Sequence, residues 1–193
     1  MTDQSSFDTA TRIAAGDDGT SYDPVAMTLH WATAVLVVAN FTLAKTWDWF
    51  AEPTQDLMES AHMSFGVLLA AVVVTRIVWR LIPGHQVPSL DAGWMRLAAK
   101  GTHYLLYALL VVEAGLGFAF RWGAGRPMEF FGLGIPPMIA EMARPERRFL
   151  RDLHDWNGWA IITIALMHAL AALYHHYVLK DRVLVRMLPR RRG

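Results

Sequence analysis

The chain has 193 residues, a formal net charge of +1 and 54% hydrophobic residues, with a mean hydropathy of +0.25. A charge so near zero gives no sign of a nucleic-acid partner. The absence of cysteine excludes disulfides, iron–sulfur ligation, zinc–thiolate sites and the covalent attachment of a c-type haem. The apolar residues fall in long blocks, which points to a polytopic membrane protein rather than a soluble domain.

Residues 1–22 are polar, rich in Asp, Ser, Thr and Gly, and lack the basic start and short apolar core of a signal peptide. They read as a disordered tail. Residues 23–180 are expected to form an all-α, integral membrane four-helix bundle, and residues 181–193 a basic tail. The first span is predicted over Val25–Trp47 and carries His30 near its start. The second, Ala61–Ile82, opens on His62 and ends with Arg76 and Arg80. The third, Gly101–Trp122, begins beside His103 and holds Glu113 midway. The fourth, Leu153–Leu179, begins at His154, contains His168, His175 and His176, and is followed by Lys180. Each is on the order of 20 to 27 residues, enough to cross the hydrocarbon layer with some tilt. Tryptophans such as Trp31, Trp47, Trp79, Trp122 and Trp156 gather near span ends, as at a membrane interface.

Basic residues set the expected orientation. The second loop and the C-terminal tail are basic, and the first loop is acidic, with Asp48, Glu52, Asp56 and Glu59. This places both termini and the second loop in the cytoplasm. The third loop resists, because it carries Arg121, Arg126, Arg144, Arg147, Arg148 and Arg151 yet is assigned to the outside.

With that orientation His30 lies near the inner side, and His62 and His154 near the outer side. His168 follows His154 by fourteen residues, which advances a helix about 21 Å and rotates it about 1400°, close to four whole turns. The two share one face at two depths. His62 can then meet His154 in the outer half, and His30 can meet His168 in the inner half. Each pair has the chemistry to clamp one haem iron between two imidazoles, a saturated site that shuttles electrons and binds no gas. Without cysteine such haems are held non-covalently, through histidine. Met63, Met167 and Met187 read as packing filler rather than ligands.

The stretches Leu29-His30-Trp31, Ala61-His62-Met63-Ser64-Phe65-Gly66 and His103-Tyr104 occur in a distinctive combination. They are joined by the run from Met167-His168 to His175-His176-Tyr177, by Lys180-Asp181, and by Arg186-Met187-Leu188-Pro189. Together they resemble the bacterial cytochrome b561 family, and within it the superoxide oxidases. The resemblance covers nearly everything after residue 22. It implies two haem b groups with axial ligands His30, His62, His154 and His168, paired as above, and a quinone site that His175 contacts. Glu113 departs from the family pattern, where apolar residues are more usual.

The resemblance implies an oxidoreductase that oxidises superoxide on the periplasmic side and passes electrons through the two haems to ubiquinone. The alternative is a conduit between a soluble redox partner and the quinone pool. His176 and Lys180 edge the expected quinone site. Arg76 and Arg80 read either as contacts to haem propionates or as markers of the inner boundary. His103 reads as a propionate or quinone contact or as a packing residue. Glu113 is either a proton relay or a neutral, hydrogen-bonded acid. Arg147, Arg148 and Arg151, just before His154, would raise the local concentration of superoxide. The bland alternative is a solvated surface paired with Glu146 and Asp152.

Overall fold

The computed structural model describes residues 23–82, 93–181 and 184–187. The tail over 1–22, His85 and the arginines at 190–192 lie outside the described residues.

Helix α1 spans Pro24–Thr46. Its start is fixed chemically: the Asp23 carboxylate accepts from the Ala26 N–H at 2.9 Å, and Pro24 occupies a first-turn position that needs no donor. The same carboxylate accepts from Trp79 Nε1 at 3.2 Å, so the cap also ties the start of α1 to the end of the next helix. A short 3₁₀ turn, Trp47–Trp49, leads into α2, Glu52–Leu81. Helix α3 spans Gly93–Trp122. Helix α4 spans Arg144–Tyr174 and widens at its end into a π-helical turn, His175–Leu179.

All four helices are long and apolar enough to cross a membrane. Much of their apolar surface points outward; Val35, Val74, Leu166 and Met167 are each more than half exposed. Lipid is the solvent that such faces require. The exposure of Met167 also removes it from any axial role.

The helices begin earlier than the spans read from hydropathy. Helix α2 starts nine residues before Ala61, α3 eight before Gly101 and α4 nine before Leu153. Their first turns are polar and amphipathic, which hides them from a hydropathy window. In consequence His62, His103 and His154 do not open their helices; each lies ten residues past the first residue.

Between α3 and α4 a small antiparallel hairpin was not expected. Strands β1 (Met128–Phe130) and β2 (Leu133–Ile135) pair with Phe130 opposite Leu133. The two turn residues, Phe131 (φ 48°) and Gly132 (φ 86°), are both left-handed, as a tight two-residue hairpin of this twist demands. The hairpin sits on α2: the Phe131 N–H donates to Ser64 Oγ at 2.9 Å, Phe131 lies beside Phe65, and Met128 is buried.

Helix α1 packs closely on α2 and α3 on α4, while the two hairpins of helices meet more loosely along a seam. Val73, Leu110 and Ile161 form the buried centre of that seam, with Val37, Leu69 and Ile77 around them. Ile161 lies seven residues from both His154 and His168. An apolar layer therefore separates two histidine-bearing levels, about 10 Å from each along α4.

Candidate functional site

The seam brings the four predicted ligand histidines together in two pairs. At one level, called outer after the orientation expected from charge, the ring centroids of His62 (α2) and His154 (α4) are 6.2 Å apart, with their planes at 86°. At the inner level those of His30 (α1) and His168 (α4) are 6.4 Å apart, with planes at 76°. A metal held by two opposed imidazole nitrogens at about 2 Å each puts the ring centres roughly 6 Å apart. Both spacings match that requirement. Two opposed rings are free to rotate about their common axis, so neither interplanar angle conflicts with it.

The outer rings are also oriented as ligands need to be. His62 Nδ1 lies 3.1 Å from the Asn40 carbonyl oxygen, and His154 Nδ1 lies 3.1 Å from the Glu113 carbonyl oxygen. A carbonyl can only accept, so each Nδ1 carries the proton and each Nε2 keeps its lone pair. Trp47 and Phe120 stand edge-on to these rings, and Gly117 lets α3 approach His154, where an added Cβ would be 3.4 Å from the ring. The Asn40 side-chain amide is buried, and both its polar atoms lack a partner among the described residues. A buried amide left unpaired is costly, and a polar group of a bound molecule beside His62 would satisfy it. The residues present fit a haem at this level.

The inner level holds a third imidazole. His103 (α3) lies with its ring centroid 5.2 Å from that of His168. Arg76 on α2 donates through Nη2 to His30 Nδ1 at 2.8 Å, and its guanidinium lies over the Tyr107 ring at 5.2 Å. A guanidinium has only donors, so this contact puts the His30 proton on Nε2. Binding iron through that nitrogen requires Arg76 to release Nδ1 and turn to another acceptor, the role expected of a propionate contact. Arg80 is half-buried on the same face of α2.

Beyond the inner level α4 changes its winding. The π-helical turn and the left-handed Lys180 (φ 55°) reverse the chain, so that Asp181 comes back onto His175; His175 Nδ1 and Asp181 Oδ2 are 2.5 Å apart. Turns of this kind recur at functional sites. Periodicity gives no sign of Asp181 as a site residue, because its nearness depends on a winding defect. His176 packs edge-on to Tyr177, and its Nδ1 is buried without a partner among the described residues. Lys180 is exposed.

At the outer end of α4, Arg148 and Arg151 are exposed and Arg147 is half-buried. Among the described residues no carboxylate lies within ion-pair distance of any of the three, and Glu146 is turned instead to the Ala143 N–H at 3.1 Å. The alternative pairing with Glu146 and Asp152 is not seen among the described residues. Arg121, by contrast, is engaged with Glu129 at 3.8 Å and with the Pro127 carbonyl oxygen at 3.1 Å.

Sequence comparison places these features among relatives. Residues 21–190 match the family model described as prokaryotic cytochrome b561. The chain is 32% identical over 176 residues to cytochrome b561 homolog 2 of Escherichia coli, covering 86% of this chain and 90% of that protein. It is 31% identical over 175 residues to a protein of Yersinia pestis named probable superoxide oxidase, covering 89% and 98% respectively. It is also 31% identical over 173 residues to cytochrome b562 of Cereibacter sphaeroides, covering 86% and 94%.

Proposed function

We propose that this chain, which belongs to the prokaryotic cytochrome b561 family of membrane electron-transfer proteins, oxidises superoxide at the outer face of a bacterial inner membrane and reduces ubiquinone near the cytoplasmic side. In that orientation both termini are cytoplasmic. Two superoxide ions would yield two dioxygen molecules, and one quinone with two protons would yield one quinol.

The observation that carries the reading is the pair of opposed imidazoles at each of two levels, 6.2 and 6.4 Å apart. His62 with His154, and His30 with His168, would each hold one haem b, which when bound supplies single-electron transfer between the two faces.

The chain's own residues do the rest. The carbonyls of Asn40 and Glu113 fix the tautomer of the outer rings. Arg147 and Arg151 precede His154 by seven and three residues and so share its helical face. With no carboxylate within ion-pair distance among the described residues, they are available to draw a small anion toward the outer level. Arg148 lies off that face and adds to the field. His175, its Nδ1 held by Asp181, presents Nε2 for a quinone oxygen, with His176 and Lys180 at the rim. His103, Arg76 and Arg80 crowd the inner level, where Arg76 and Arg80 would meet propionates.

A second reading is supported by one observation: Phe131, Leu133, Phe149 and Trp156 are all more than 60% exposed on the side that carries the arginines. A soluble redox partner could dock there and use the same route. Stopped-flow reduction of the purified chain by superoxide alone decides between the two. Rapid reduction of its haem absorbance supports the oxidase. No reduction without a partner protein overturns it.

A further inference from the structure

Glu113 has a task that the proposed electron route does not assign. It sits about two-thirds of the way along α3 with its side chain against α4. Its main-chain carbonyl oxygen lies 3.1 Å from His154 Nδ1, and one carboxyl oxygen, Oε1, lies 3.4 Å from the same nitrogen. The other, Oε2, accepts from Asn157 Nδ2 at 2.7 Å, and Asn157 Nδ2 also donates to the Leu109 carbonyl oxygen at 2.9 Å. Gly158 makes room for the carboxyl, since a Cβ there would stand 3.2 Å from Oε1. An acidic side chain at this depth is expensive to keep, and an anchor shared by two helices for no other purpose could be built from apolar residues.

We infer that Glu113 is a positioning residue for the outer imidazole pair, setting the rotation of the His154 ring about its axis toward His62. The inference rests on the haem reading above. His62 is held independently by the Asn40 carbonyl, so the 86° between the two rings depends on what holds His154. On the α3 side, His154 Nδ1 meets both polar ends of one residue. The angle between opposed imidazole planes governs the splitting of a ferric low-spin haem's orbitals and therefore its paramagnetic resonance spectrum. A hydrogen bond to the outward nitrogen tunes ligand basicity and with it the reduction potential.

Glutamine is a sharp probe of this arrangement. A carboxyl can accept at both oxygens, whereas an amide accepts at one. If the Gln oxygen faces Asn157, its NH₂ is driven against His154 Nδ1–H; Asn157 cannot turn round without losing Leu109. The main-chain carbonyl is unchanged, so His154 keeps one partner in either variant.

The test compares wild type, Glu113→Gln and Glu113→Leu in purified holoprotein by haem content, low-temperature paramagnetic resonance and redox titration. The outer signal is identified as the one lost in His62→Ala. The expected result is two haems in each Glu113 variant, a shifted outer signal, and an outer reduction equilibrium changed about tenfold, about 59 mV for one electron, with the inner centre unmoved. Asn157→Ala, which frees the carboxyl without altering it, should reproduce the spectral shift. Loss of the outer haem alone in either Glu113 variant also supports the inference. An outer signal and potential unchanged in both variants, with two haems bound, overturns it and leaves Glu113 a tie between helices. Fewer than two haems in the wild type sinks the haem reading itself.

Discussion

His154 and His168 lie on one face of α4, fourteen residues apart, and each meets a histidine from a different helix of the opposite hairpin. One helix thus serves both levels, while α2 serves the outer and α1 the inner. The levels should be separable. His62→Ala removes the outer centre, and His30→Ala the inner, each leaving one haem of an expected two per chain. Pyridine haemochrome analysis of the purified variants measures this. A variant that loses both, or neither, contradicts the pairing.

Charge near the outer level should govern encounter rather than turnover. Replacing Arg147 and Arg151 together by Glu is expected to slow reduction by superoxide about tenfold at low ionic strength. The difference should narrow above roughly 0.5 M salt, where the screening length falls below about 5 Å. Stopped-flow traces across a salt series check both statements. Quinol formation from an artificial donor should be unaffected.

Asp181 fixes which nitrogen of His175 carries the proton. In Asp181→Ala the ring loses its Nδ1 acceptor at that turn, and either tautomer becomes available. Quinone reduction should fall on the order of 10²-fold, as when a positioned proton carrier is misplaced. Asp181→Asn, which still accepts through its amide oxygen, should retain more activity than Asp181→Ala. Steady-state quinone assays on variants with full haem content measure the order.

The hairpin between α3 and α4 depends on one buried hydroxyl. Ser64 is 2% exposed, donates to the Ser60 carbonyl oxygen at 2.9 Å and accepts from the Phe131 N–H at 2.9 Å. Ser64→Ala leaves that N–H without its partner, at a cost of about 1–3 kcal/mol. Amide exchange in residues 128–135 should quicken measurably in detergent or nanodiscs, while exchange within the four helices stays as it was. Because Ser64 is two residues from His62, the outer haem spectrum is a useful second readout.

Much of this architecture is legible in the chain itself. Hydropathy blocks give the four helices, and the depths of His30, His62, His154 and His168 bring together the same rings that lie near one another in the structure. Depth survives errors of several residues in a helix end, which is why those rings meet although α2, α3 and α4 start eight or nine residues early. What stayed hidden depends on backbone detail. The hairpin rests on a left-handed Phe131, a residue with no turn signature of its own. The return of Asp181 onto His175 rests on a π-helical turn. The contact of Glu113 with His154, and of Asn157 with the Glu113 carboxyl, needs the rotation of two helices about their axes, and a single sequence does not fix that. The unpaired amide of Asn40 looked like any polar residue within a span.

The buried centre of Val73, Leu110 and Ile161 has a consequence for energetics. None of these three side chains can ferry a proton, so on the proposed route electrons would cross them unaccompanied. Such a crossing is electrogenic. Charge driven inward against a resting voltage costs about 2.3 kcal/mol per 100 mV for a full traverse, so an energised membrane should throttle the protein and a collapsed one should release it.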